Sequence, residues 1–286
     1  FPYTTLFRSI MSNDAWGCFD RVVHVCIMLA LRRLGVPRPP IAAMLETIQE
    51  MKHHIRTAFG ESEGSYGGDP LKAAVQGLLQ GNGAGPASWF AVCSIMIDCM
   101  KAEGFGYSDW SAISNHAMRL VCFAFVDDTD LIHSTTDPTL SSAQLIAEAQ
   151  EALLTWEGLL SATGGALKPP KSYWYLLEYA CVRGVWKPKR IQDAPGELTL
   201  HNKGDPVTIQ RLEVTDAREA LGIMSRPNGC MDNQVEAKNL CTNLKEASTM
   251  LIIEPSFCTT VTFFFPTFVD IISFPSPILT EHLSSL

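Results

Sequence analysis

Residues 123–133 read FAFVDDTDLIH. An apolar run climbs to Asp127 and Asp128 and resumes two residues beyond them. Residues 118–125 and 129–133 read as two strands around the acidic pair, a hairpin with the carboxylates at its tip. Two adjacent carboxylates at the end of a buried strand are costly unless something offsets their charge. A bound metal is one answer and a solvated turn is another.

A metal answer needs a further carboxylate. Asp14 in NDAWGCFDR supplies it, placed where a short strand would end and a helix begin. Between and beyond these acids the pattern alternates. Residues 19–34 read as a helix with Asp20 as N-cap and Gly35 and Pro37 as the stop. A second helix is expected from Pro40 to His53, a hairpin or loop over 59–70, and an apolar helix from Pro86 to Ala102. Trp89, Phe90, Ile95, Met96 and Met100 form a stripe on that helix and are expected in the core. A long helix from Ser141 to Thr163 is closed by Gly164-Gly165. Residues 171–178, KSYWYLLE, read as a strand, 183–217 as short strands, and 231–248 as a helix. Helices alternating with strands of one sheet define an α+β fold.

Composition bounds the function. At 286 residues and 47% apolar content the chain can bury a sizeable core. Its formal net charge of −8 gives no global basic footprint, so a function on nucleic acid has to account for the deficit. Nine cysteines, none in a C-x-x-C pair, lie mostly in apolar runs, as Cys26, Cys93, Cys99 and Cys122 do. Buried reduced thiols and an intracellular setting are the expectation. No apolar stretch is clean enough to span a bilayer.

Four motifs now stand in order: DAWGCFD, QGNGAGP, FVDD and GALKPPK. Together they resemble the palm of reverse transcriptases, especially those of retrotransposons, over roughly residues 10–245. The first is Asp14, four residues, then Phe19; the second is Gln80, Gly81, Gly85 and Pro86. The third is Phe125, Val126, Asp127 and Asp128, and the fourth is Gly165 and Lys171. LGIMSRPNG, 221–229, looks like the segment that follows. The resemblance implies a polymerase palm, an antiparallel sheet with helices packed on one face. It implies RNA-directed DNA synthesis on an RNA template from a DNA or RNA primer, with dNTPs as substrates. Asp14 and Asp127 would hold two Mg2+ ions, with Mn2+ as the substitute, and Asp128 would assist. Phe19 would be the steric gate against a 2′-hydroxyl. Gln80, Gly81 and Phe125 would lie against nucleotide and template, and Lys171 would stabilise or protonate pyrophosphate.

Other readings stay beside this one. They are a catalytically inactive reverse-transcriptase-derived fragment, a metal-dependent phosphohydrolase or metal-binding domain using the same acids, and a non-enzymatic interaction domain. Phe19 also reads as core, Lys171 as a surface lysine, Asp130 as a solvated strand residue, and His53 and His54 as a solvated basic spot. The ends differ in character. FPYTTLFRS, residues 1–9, back-translates to the end of a common short-read sequencing adapter and is expected to be an artefact. From Leu251 there is no Lys or Arg, and six of the fourteen phenylalanines cluster there. The expected division is an artefact at 1–9, palm with partial fingers at 10–180, a palm-to-thumb connection at 181–250, and an aberrant apolar tail at 251–286. Fingers and thumb would be incomplete, which would account for the missing basic surface.

Overall fold

The computed structural model describes residues 9–71, 74–79, 81–111, 116–135, 137, 140–202, 204–220 and 223–227. Gln80, most of the artefact stretch, the helix expected over 231–248 and the apolar tail lie outside the described residues. The chain divides into two compact units, Phe1–Asp216 and Ala217–Leu286.

The first unit opens with β1 (Ser9–Asp14), α1 (Cys18–Arg21), α2 (His24–Arg33) and α3 (Arg38–Glu50). It continues with β2 (Lys52–Thr57), β3 (Gly60–Gly67) and α4 (Ala84–Ala102). Then come β4 (Tyr107–Ser111), β5 (His116–Leu120), β6 (Cys122–Phe125), β7 (Asp128–His133) and α5 (Ser142–Ala162). It closes with β8 (Tyr173–Leu176), β9 (Tyr179–Val182), β10 (Val185–Pro188), β11 (Thr199–Asn202), β12 (Asp205–Thr208) and β13 (Gln210–Leu212). In the second unit β14 (Arg218–Ala220) and β15 (Ile223–Ser225) form a hairpin.

The main sheet has the order β13-β8-β1-β7-β6. β1 lies at its centre and runs antiparallel to both β7 and β8. Its sequence, SIMSND, alternates between buried and partly exposed positions, as a strand with one covered face must. Met11 points with Leu131 and Trp174 into the core shared with α4 and α5. Ser12 and Asp14 fall on the other set, opposite Asp130 and Asp128. The antiparallel expectation holds for all but the last pair: β13 joins β8 in parallel. There Arg211, in register with Trp174, lies 4.7 Å over its ring.

The core helix α5 begins and ends on local signals. Ser141 caps α5 in a reciprocal capping box with Gln144. Gly164 follows the helix at φ +90. On α4 the stripe Trp89, Met96 and Met100 is buried and Ile95 is partly so, but Phe90 is 69% exposed. It sits one position off the stripe, so its ring leaves the core face.

The helix expected over 19–34 is broken at Val22–Val23. The Val23 amide donates to the Thr163 carbonyl at the end of α5 instead of to a helical carbonyl. Asp20 does not cap. Gly17, at φ +58, holds the N-cap position of α1, and Val23 holds that of α2. The second helix stops at Glu50, so His53 and His54 stand on β2, paired with Tyr66 and Ser65. The strand expected over 118–125 is two strands split at Val121. The first of them pairs with β4, which the sequence reading left unassigned. Arg119 fastens that extra hairpin to α4. Its guanidinium donates to the carbonyls of Lys101, in the last turn of the helix, and of Gly104 and Phe105 just past its C-terminus. Among the described residues no helix is long and apolar enough to cross a membrane.

Candidate active site

β1 ends on Asp14 and β7 begins on Asp128, and the two are direct neighbours in the antiparallel register. Asp127 lies between them and Phe125, in the tight turn joining β6 to β7. That turn is strained, because Val126, a β-branched residue, sits at φ +57. Two donors hold it. The Ala15 amide donates to the Asp127 carbonyl at 3.0 Å. The buried Trp89 indole N–H donates to the Val126 carbonyl.

The segment after α5 brings the lysines. Beyond β1, the Trp16 amide donates to the Ala166 carbonyl at 2.8 Å and the Lys168 amide to the Asp14 carbonyl at 3.0 Å. A short 3-10 turn, Pro169–Lys171, then carries Lys171 back, and its Nζ pairs with Asp14 Oδ2 at 2.8 Å. The lysine side chain is 59% exposed and that of Asp14 only 16%.

These elements surround a pocket of about 330 Å³ lined by Asp14, Phe19, Gly81, Asp127, Lys168 and Lys171, with the 15–18 turn completing its wall. Phe19 is partly buried against the core and also faces the pocket. Its ring packs against Gly85 on α4, at a distance where even a Cβ would be in ordinary contact, 3.5 Å away. The core and pocket readings of Phe19 therefore describe one residue. Phe125 is 56% exposed, and neither it nor Asp128 forms part of the pocket wall.

A polar clip holds the segment before Gly81. Gln49 on α3 donates to the Val75 carbonyl at 2.6 Å and accepts from the Val75 amide at 3.0 Å. His24 joins Gln49 to the Gly77 carbonyl through its two ring nitrogens. Because Gln49 Nε2 must donate, His24 Nδ1 accepts and Nε2 carries the proton. Gly77, at φ +80, passes so near Phe19 and Asp20 that a Cβ would lie 2.4 Å from their backbone.

The electrostatics follow from the crowding of acids. The Asp128 carboxyl is raised above the ordinary carboxylate range. Lost hydration is the largest cause, although the residue is largely open to solvent; Asp127, Asp14 and Asp130 add like charge and Lys171 opposes. Lys171 is raised in turn, first by its hydrogen bond and charge contact with Asp14. Asp130 is not the solvated residue expected. It is partly buried and raised by desolvation, with a Ser12 hydrogen bond offsetting part of the rise. Cys18, buried on the pocket wall, is pushed up to about 12, by burial first and Asp127 second. Cys93 is buried, while Cys26, Cys99 and Cys122 are partly so; all are free thiols.

Among the described residues no group of three or more His, Cys, Asp or Glu is arranged to hold a metal ion, and Asp14 Oδ2 is engaged by Lys171. The donor chemistry nonetheless suits a hard divalent cation. The acids are all carboxylates, and the like charge that raises Asp128 is what a cation offsets. The structure thus gathers Asp14, Asp127, Asp128, Lys171, Phe19 and Gly81 in one region, with Phe125 beside it. Sequence reasoning missed Trp89 as a contact to the tip. Its signal was an indole N–H on a core stripe, which needs a partner when buried. No known family model matches the chain, and no curated protein matches it.

Proposed function

We propose that this chain carries the palm of a retrotransposon-type RNA-directed DNA polymerase, which extends a primer 3′-hydroxyl with deoxynucleotides on an RNA template. One observation carries the reading. Asp14 and Asp128 are in-register neighbours on the central strands, with Asp127 in the adjoining turn, beside a pocket that also holds Phe19, Gly81 and Lys171. The order of the four motifs supports it independently.

In the reaction the 3′-oxygen bonds to the α-phosphorus, the bridge to the β-phosphate breaks, and pyrophosphate leaves. Asp14 and Asp127, assisted by Asp128, would hold two Mg2+ ions. When bound, these lower the pKa of the attacking hydroxyl and stabilise the leaving group. Phe19 puts an aromatic ring on the pocket wall, where it excludes a 2′-hydroxyl. Gly81, at φ +90 with no side chain, leaves its backbone open to a base or sugar. Lys171 keeps a proton on Nζ, held there first by its hydrogen bond and charge contact with Asp14, and that fixed positive charge suits it to neutralise pyrophosphate.

Primer extension on an RNA template with Mg2+ tests the reading. Asp127→Ala is expected to abolish it with the fold intact, and an active Asp127→Ala protein would end the assignment. A second reading, a folded but silent palm, draws on the engagement of Asp14 by Lys171. It predicts no extension by wild-type chain at any Mg2+ concentration.

A further inference from the structure

Trp89 lies on α4 with its ring in the core, 4% exposed, and its indole N–H reaches across to the Val126 carbonyl. The next carbonyl along the turn, that of Asp127, accepts from Ala15. Two successive carbonyls of one strained turn are therefore held from two different elements. Val126 is the residue that needs holding. A β-branched side chain at φ +57 persists only where its surroundings enforce it. Asp127 and Asp128 follow it directly, so a change in the Val126 dihedrals re-aims both carboxylates.

We infer that Trp89 is a positioning residue. Its indole N–H keeps the Val126 turn in its left-handed conformation and so keeps Asp127 and Asp128 against Asp14. The same helix bears on Phe19 through Gly85, so α4 aligns the aromatic and acidic sides of the pocket from one rigid element. The catalytic consequence rests on the polymerase reading, while the hold on the turn stands without it. A Trp89 that merely filled the core would act by its shape, and removal of the N–H alone would then change nothing.

The experiment separates shape from hydrogen bond in the full chain. Trp89 is replaced by 3-benzothienylalanine, which keeps the bicyclic shape and lacks the N–H, and in parallel by Phe. Amide exchange at Ala15, followed by NMR, and Mn2+ affinity, followed by EPR, are the readouts. The benzothienyl variant is expected to exchange Ala15 about tenfold faster and to bind Mn2+ about tenfold more weakly, the scale of one hydrogen bond lost. Adding Val126→Gly is expected to recover most of both losses, because glycine adopts this φ without strain. Unchanged Ala15 exchange in the benzothienyl variant, or losses that Val126→Gly fails to recover, would overturn the inference. If Trp89→Phe does not fold, the benzothienyl variant decides alone. If wild-type chain binds no Mn2+ and extends no primer, the polymerase reading falls, and Ala15 exchange with its glycine rescue still decides the role of Trp89.

Discussion

At the scale of single residues the site sets three carboxylates against two lysines, of which Lys171 pairs with Asp14. Asp128 has its proton affinity raised in the folded chain, so the folded state binds protons more tightly than the unfolded one around this residue. The linkage sign is then fixed: its contribution favours folding below the unfolded carboxylate pKa and is lost as pH rises through the raised value. Asp128→Asn should therefore stabilise the protein at pH 7, by about 0.5 kcal/mol after allowing for solvent screening. The gain should vanish in acid, as urea titrations at pH 7 and pH 3 would show. Under the polymerase reading the same variant should extend primers more slowly. Lys171→Met removes the opposing charge, so its melting temperature at pH 7 should fall in EDTA and recover on adding Mg2+, by the linkage of binding to folding. A melting temperature indifferent to Mg2+ would count against a cation site at these acids. The acids were legible in the sequence because adjacency and flanking strands announce them. The indole contact of Trp89 was not, because it joins residues 37 positions apart that only the fold brings together.

At the scale of elements, what was legible was local. Ser141 with Gln144 and Gly164 with Gly165 set the ends of α5 through bonds between near neighbours. Ser141→Ala should cost about 1 kcal/mol in urea unfolding, since it leaves the Gln144 amide in the first turn of a core helix without an acceptor. The break at Val22–Val23 was illegible because its cause, the Thr163 carbonyl, is 140 residues away in sequence. The parallel pairing of β13 and the β4–β5 hairpin likewise depend on partners that periodicity does not reveal. Gly77 shows the cost of such close approaches. Gly77→Ala adds a Cβ where the backbone of Phe19 and Asp20 stands and requires a positive φ of an L residue. It should destabilise the chain by about 2–4 kcal/mol. Since the displaced backbone belongs to Phe19, under the polymerase reading the survivors should also raise KM for deoxynucleotides and discriminate less against ribonucleotides in competition assays.

At the scale of the whole molecule the sign of the charge decides the mode of binding. A chain of net charge −8 cannot hold a nucleic acid by a broad cationic surface. Under the polymerase reading, fluorescence anisotropy should report weak association with a primer–template duplex. That association should strengthen on adding millimolar Mg2+ at constant ionic strength, whereas a lysine-rich binder would weaken under added salt. The thiols give this molecule an internal gauge. Cys18 on the pocket wall is a protonated, shielded thiol, while Cys181 is exposed. Alkylating reagents attack thiolates, so Cys181 should be labelled early and Cys18 late, with peptide mass spectrometry resolving the two. The ratio of those rates needs no engineered probe and no knowledge of the substrate. Any ligand that seats in the pocket should slow the late reaction and leave the early one alone, so the native chain can be screened for what it binds by a clock built into its own sequence.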